Sequence, residues 1–235
     1  MTNRYIFDVD GTLTPSRSTI DPNFEIYFDH FCLSHSVYLV TGSDRAKTIE
    51  QIGTVIYDLC DKVYQCGGND VWEGDENIKT NTLEVTPTMD EFFNYWLKAS
   101  QFKYRTGIHV DVRPGLINFS TIGRGATKAQ RAEYVSYDTI VSERTKIAET
   151  FNQAFNKDNL VASVAGETGI DITRIGYDKA QIVHDFSPHD KLHFFGDKMH
   201  PGGNDYTLAV EVARSGGNIY HVKDWMETWK ILKEL

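Results

Sequence analysis

The 235-residue chain predicts an α/β protein, a parallel sheet with helices on its faces, interrupted by an inserted α+β segment with an antiparallel sheet of its own. Three observations predict it. Apolar strand-like runs alternate with helical periodicity at the start, the same rhythm returns near the end, and short alternating strands joined by tight turns lie between. The shifts divide the chain into a core of residues 1–80 and 177–235 and an inserted domain of residues 81–176.

Tyr5-Ile6-Phe7 forms the first strand and runs directly into Asp8-Val9-Asp10-Gly11-Thr12. Asp21-Pro22 starts a helix with proline in its first turn, and Phe24, Phe28 and Phe31 follow at helical spacing. Residues 37–40 make a second apolar strand that ends in Thr41-Gly42-Ser43-Asp44, a helix from Arg45 carries Ile49, Ile52 and Ile56, and residues 62–65 make a third strand. Ligands of such sheets collect at the C-terminal ends of the strands, where Asp8, Asp10 and Ser43 fall. In the inserted segment, Thr88-Met89-Asp90-Glu91 reads as a capping box for a helix reaching Phe102, and Thr127 to Gln130 opens another. Residues 107–112 and 116–120 read as a hairpin turning at Pro114-Gly115, and residues 160–164 and 170–173 add two strands. The βα pattern resumes with a strand at 192–195 that ends in Gly196-Asp197-Lys198. Gly202-Gly203-Asn204-Asp205 then precedes a helix, residues 218–222 form a last strand, and Asp224 caps the final helix.

A composition of 40% hydrophobic and 12% aromatic residues suffices for a packed core. The formal charge of −9 argues against a nucleic-acid surface, so local arginines serve something small. Cys32, Cys60 and Cys66 are odd in number and form no CxxC pair, which reads as reduced cytoplasmic thiols. The first residues lead straight into a core strand with no room for a signal peptide, and no apolar run approaches the ~20 residues of a membrane span. The expectation is a soluble cytoplasmic protein that binds no membrane.

Asp8 and Asp10 carry the chemistry. Gly11 lets the strand tip curl so that both acids turn toward one pocket. Neighbouring carboxylates repel, and a hard divalent ion such as Mg2+ stabilises both as anions. One then attacks phosphorus while the other moves a proton. Asp197 and Asp205, flanking a glycine-rich turn at another strand end, complete an oxygen shell for the ion. Thr41 and Ser43 offer hydroxyls and N–H groups near a helix start, a seat for phosphate, and Lys179 neutralises phosphate charge. Arg113, Arg124 and Arg131 fall within one hairpin-helix stretch, and guanidinium forks bind phosphate oxygens in pairs. Each motif also has a plainer reading: a surface turn, a helix cap, a solvated charge.

Taken together, Asp8-x-Asp10-Gly11-Thr12, the Thr/Ser-ended second strand, Lys179 and the Gly196-Asp197 to Asn204-Asp205 turn resemble the four motifs of the haloacid dehalogenase superfamily over the whole chain. The narrower set, Phe7 to Thr14 with Pro15 and Arg17, Arg113-x-Gly115-x-x-Asn118-x-Ser120-x-x-Gly123-Arg124, Tyr177-Asp178-Lys179 and Phe194 to Asp205, is similar to the eukaryotic-type phosphomannomutase family. That resemblance implies a Rossmann-like core with an inserted cap. It implies Asp8 as nucleophile and Asp10 as general acid/base. Mg2+ would be held by Asp8, the main-chain carbonyl of Asp10 and Asp197, with Asp205 close by. Ser43 and Lys179 would steady the phosphoryl group. Arg17 from the core and Arg113, Arg124 and Arg131 from the cap would grip the substrate's distal phosphate and hydroxyls, and Asp171 would accept from the sugar. The implied reaction interconverts mannose 6-phosphate and mannose 1-phosphate, activated by a hexose 1,6-bisphosphate, whose intermediate turns around inside a closed cap. A homodimer through the cap is implied as well, and Phe92, Phe93 and Trp96 fit either that interface or the cap core.

The competing reading is a sugar-phosphate phosphatase on the same scaffold, which needs Asp8 and Asp10 but no anion grip in the cap. The chain also departs from the family pattern. Gly169 replaces a serine two residues before Asp171, Thr41 stands where glycine is common, and Cys66-Gly67-Gly68-Asn69-Asp70 replaces a Glu-Asn-Gly segment. These changes put the sugar preference in question.

Overall fold

A computed structural model describes residues 2–235. The chain divides into two compact units, Met1–Thr80 with Gly176–Leu235, and Asn81–Ile175.

The first unit is a seven-stranded sheet. Its parallel strands are β1 (Thr2–Phe7), β2 (Ser36–Val40), β3 (Lys62–Gln65), β10 (Asp190–Gly196) and β11 (Asn218–His221). The order is β11, β10, β1, β2, β3, then β4 (Asp70–Glu73) and β5 (Glu76–Thr80). β1 sits between β10 and β2, so the turn at its C-terminal tip is held from both sides. Alternation along the strands fills two cores. Tyr5, Phe7 and Leu39 pack with α1 (Pro22–Ser34), α2 (Arg45–Leu59) and, through Leu232, α7 (Trp225–Leu232). Ile6, Val40 and Phe194 pack on the other face with α6 (Tyr206–Arg214) and the short 3-10 helix Lys179–Asp185. Asp21 caps α1, Asp44 caps α2 and Asp224 caps α7, each accepting from the first-turn N–H groups.

Two features differ from the reading of the sequence. The β4–β5 hairpin was not expected, because β5 is exposed along its whole length and carries no apolar alternation. α2 is broken at Gly53, whose φ of +77° leaves the helical region; nearby, the carbonyl of Gln51 accepts the Ile20 N–H at 2.8 Å.

The second unit is a four-stranded antiparallel sheet in the order β6 (Val110–Arg113), β7 (Leu116–Phe119), β9 (Gly169–Arg174), β8 (Leu160–Ala165). Helices α3 (Pro87–Ala99), α4 (Lys128–Val141) and α5 (Glu143–Ala154) belong to it. Ile117, Phe119, Ile170 and Ile172 face a core shared with Phe93 and Phe151. The α3 cap is Thr86 rather than Thr88, with Met89 closing the box, and the helix stops at Ala99. Helix α5 was missed, although Ile147 and Phe151 show its period; Ser142, at φ +53°, separates it from α4. Phe93 is buried, and Phe92 and Trp96 pack against the same cluster, so these aromatics serve the unit's core.

Candidate active site

In the first unit the chain leaves β1 at Phe7 and curls at once. Asp8 N–H bonds Phe195 O at 3.0 Å, and the turn closes through Gly11 N–H to Thr14 O at 2.8 Å. Gly11 is required here twice: its φ is +88°, and a Cβ would lie 2.4 Å from Asp197 Oδ2.

Lys179 Nζ donates to Asp8 Oδ1 at 2.5 Å and to Asp205 Oδ1 at 2.7 Å. Lys179 and Asp8 each expose 3% of their side chains and Asp205 exposes none. Thr12 Oγ1 donates to Asp8 Oδ2 at 3.3 Å, and Lys198 N–H to Asp205 Oδ2 at 3.0 Å. Asp197 completes the group, with carboxylate oxygens of Asp8, Asp197 and Asp205 within 4.8 Å of one another. Burial first, then the Asp205 charge, pushes the Asp8 carboxyl up to about 7 against the pull of Lys179. Burial also raises Asp197, and it lowers Lys179 less than Asp205 and Asp8 together raise it.

Lys179 is shared by Asp8 and Asp205, and Lys198 Nζ lies 3.3 Å from Asp197 Oδ2, so two ammonium groups face three carboxylates. At an effective dielectric of about 20, two like charges about 5 Å apart repel by roughly 3 kcal/mol. Asp197 Oδ1 is buried with no hydrogen-bond partner among the described residues. An all-oxygen trio with surplus negative charge and an open acceptor fits a hard divalent cation such as Mg2+.

Asp10 is not part of this trio. Its Oδ1 accepts the Arg17 N–H at 2.6 Å and the Gln51 side-chain amide at 2.9 Å. The curl therefore gives the two carboxylates different hydrogen-bond partners. Gln51 is the residue the sequence reading missed: it is buried, and its amide also reaches Thr14 Oγ1 at 3.3 Å. The available signal was a polar residue next to Ile52 on the buried face of an amphipathic helix. Ser43 precedes the α2 cap, its N–H on Thr41 Oγ1 at 3.1 Å and its carbonyl taking the Cys66 N–H at 3.0 Å. Arg17 is exposed at φ +56°. The altered segment 66–70 braces the lysine: Asn69 Nδ2 reaches Tyr177 O at 3.0 Å, and Gln181 Nε2 reaches Gly67 O at 2.8 Å.

The second unit holds the other expected residues. Arg113 donates to Asp111 Oδ2 through Nε and Nη2 at 3.0 and 2.8 Å, and Arg124 Nε lies 3.2 Å from the same oxygen. Arg124 Nη1 also donates to Asn118 Oδ1 at 3.2 Å, and Asn118 Nδ2 to Asp171 Oδ1 at 2.6 Å. Register places Asp111 opposite Asn118 and Asn118 opposite Asp171, one polar row across three strands. Burial raises the Asp171 carboxyl, opposed first by the Asn118 hydrogen bond and then by Arg113 and Arg124. Arg131 stands on α4 and pairs with Glu167 at 3.0 Å rather than joining this row.

A family model describing eukaryotic phosphomannomutases matches residues 24–235. The chain is 31% identical to a phosphomannomutase of Drosophila melanogaster, covering 98% of this chain and 94% of the relative. It is 29% identical to a phosphomannomutase of Spinacia oleracea, covering 94% and 92%. Among solved structures it is similar to a haloacid dehalogenase-like hydrolase from Bacteroides thetaiotaomicron, with a TM-score of 0.66 and 11% identity over 100% of this chain and 99% of the other. It is also similar to the trehalose-6-phosphate phosphatase of Aspergillus fumigatus, with a TM-score of 0.62 and 12% identity over 99% and 92%. At such identities the structural likeness establishes the haloacid dehalogenase-like fold.

Proposed function

The chain belongs to the eukaryotic phosphomannomutase family, and on that premise we propose that it interconverts mannose 6-phosphate and mannose 1-phosphate through an aspartyl phosphate at Asp8 and a hexose bisphosphate. It is a phosphohexomutase of the haloacid dehalogenase type. The observation that carries the reading over simple hydrolysis is the convergence of Arg113 and Arg124 on one oxygen of Asp111. Two guanidinium groups sharing a single carboxylate support a phosphate seat there, since a mutase must hold a sugar ester by its non-reacting end.

Asp8 attacks phosphorus, with Thr12 and Lys179 fixing its carboxylate. Lys179 and Ser43 take charge from the transferring group. Asp10 has both donors on Oδ1, which leaves Oδ2 to give a proton to the departing sugar oxygen and to take one back from the attacking hydroxyl. Asp8, Asp197 and Asp205, with the main-chain carbonyl of Asp10, would hold Mg2+. When bound, the ion supplies the positive charge that keeps Asp8 ionised and offsets phosphoryl oxygens. Arg113, Arg124, Asn118 and Asp171, gathered at the polar row of the second unit, bind the distal phosphate and ring hydroxyls.

A hexose 1,6-bisphosphate serves as activator. A cytoplasmic setting accords with three buried cysteines, and no helix among the described residues is long and apolar enough to cross a membrane. A homodimer through the second unit belongs to the same proposal and is read by sedimentation.

The test follows mannose 1-phosphate by phosphorus NMR with Mg2+, with and without the bisphosphate. Isomerisation stimulated by the bisphosphate is expected. Phosphate release without isomerisation overturns the reading in favour of a phosphatase.

A further inference from the structure

Gly169 occupies a position where the backbone does not call for glycine. It opens β9 with a φ outside the left-handed region, two residues before Asp171 and on the same sheet face. What a side chain there would displace is the Asn118 amide. A Cβ at residue 169 would lie 2.6 Å from Asn118 Nδ2, 3.2 Å from Oδ1 and 3.3 Å from Cγ. The carboxamide therefore fills the volume that a side chain would take, and from that seat it makes both of its contacts, donating to Asp171 Oδ1 and accepting from Arg124 Nη1.

We propose that Gly169 is a positioning residue for sugar recognition: by withholding a side chain it lets Asn118 clasp Asp171 and Arg124 into one unit that reads a vicinal diol of the hexose. The proposal rests on the reading of this face as the hexose phosphate grip. A primary amide has two N–H donors, and a carboxylate has acceptor capacity on both oxygens. With one N–H spent on Asp171, Asn118 keeps a second to donate to one ring hydroxyl. Asp171 Oδ2 accepts from the neighbouring hydroxyl. The two contacts stay in register only while the amide and carboxylate are locked together. A methyl or hydroxymethyl group at residue 169 pushes the amide out and loosens both. Burial holds the Asp171 carboxyl up, and the Asn118 bond is the largest influence opposing that rise, so losing the clasp weakens the acceptor as well.

The test is a double-mutant cycle between Gly169→Ala and Asn118→Ala, read as calorimetric binding of mannose 1-phosphate to protein carrying Asp8→Asn, which prevents turnover. Gly169→Ala is expected to weaken binding about tenfold when Asn118 is present and less than about twofold when it is absent. Equal weakening in both backgrounds, or none in the first, overturns the proposal. In turnover by the enzyme with Asp8 intact, Gly169→Ala should raise KM and leave kcat within about threefold; a fall in kcat alone counts against it. Should Gly169→Ala fail to fold, adding Asn118→Ala must restore folding, since the clash partner is gone, and failure to restore it contradicts the idea. Monodeoxy hexose 1-phosphates locate the diol, because the Gly169→Ala penalty vanishes for the analogue lacking a hydroxyl that the pair reads. A penalty that persists across all of them overturns the diol. A protein that binds the sugar phosphate without isomerising it refutes the mutase reading and leaves this coupling measurable; isomerisation without coupling refutes only the inference.

Discussion

Charge is organised in opposite ways in the two units. In the first, Lys179 is sealed between Asp8 and Asp205 with almost no exposure, and the Asp8 carboxyl it faces is raised. In the second, Arg113 and Arg124 keep 20% and 46% of their side chains exposed and share one partner oxygen. On the proposed function the sealed group is the one that reacts, and burial strengthens each of its electrostatic contacts and raises the cost of leaving one unmade. On the proposed function the open group exchanges partners, since a partly exposed guanidinium gives up a carboxylate for a phosphate at small cost. Stability should therefore depend on the first set of charges and affinity on the second.

The largest effect that would break this contrast is the loss of Asp8. Asp8→Asn should lower isomerisation by about 10^4-fold or more, as removal of a covalent nucleophile does elsewhere, measured as mannose 1-phosphate turnover. Residual activity within tenfold of the parent would make Asp8 dispensable.

Lys179→Met should destabilise the fold by about 3–5 kcal/mol, because two buried carboxylates lose the cation they share. Arg131→Ala, at a partly exposed pair, should cost about 1 kcal/mol or less. Denaturant titration reads both, and similar losses would erase the distinction between the units.

Arg113→Ala and Arg124→Ala should each raise the KM for mannose 1-phosphate about 10- to 100-fold, the worth of a charge-assisted phosphate contact, while the midpoint of unfolding barely moves. An unchanged KM would deny the second unit its role.

Gln51→Leu sharpens the picture inside the first unit. It should lower hexose turnover about tenfold through a displaced Asp10, yet leave hydrolysis of an activated aryl phosphate within about threefold, since a good leaving group needs no proton. Equal falls would show a merely structural glutamine.

A further effect is on pH dependence. The Asp8 carboxyl is raised in the folded state, so it binds more protons folded than unfolded, and its contribution to stability is present at low pH and lost as pH rises from 3.8 to about 7. Lys179 is raised from 10.5 and stays charged throughout that window. Without divalent ions, the stability of the parent relative to Asp8→Asn should fall by up to about 1.4 kcal/mol per pH unit across it, and added Mg2+ should flatten the slope.

Much of this was legible in the sequence because β1, β2 and β10 bury their C-terminal halves and read as apolar runs, and the acidic or hydroxyl residues of the site follow directly after them. Asp8 and Asp197 follow strand ends, Lys179 opens a short 3-10 turn and Asp205 precedes α6, all places that the periodicity locates. The β4–β5 hairpin was not legible, since an exposed edge strand gains nothing from alternation. The separate hydrogen-bond partners of Asp8 and Asp10 were hidden because period-two spacing holds only within a strand, and the chain curls right after Phe7. Gln51 was invisible for a related reason: its value comes from Asp10 lying 41 residues away in sequence. Gly169 was noticed as a departure, but its cause, the neighbouring Asn118 amide, is a contact across strands that no local pattern records.

The central claim is that Asp8 carries the phosphoryl group and returns it to sugar. The most direct measurement incubates the protein with radiolabelled hexose bisphosphate and Mg2+, quenches in acid and maps the label. The account predicts label on the peptide containing Asp8, chased into mannose 1-phosphate by unlabelled mannose 6-phosphate. Label that appears only as inorganic phosphate, or on a peptide without Asp8, would contradict it.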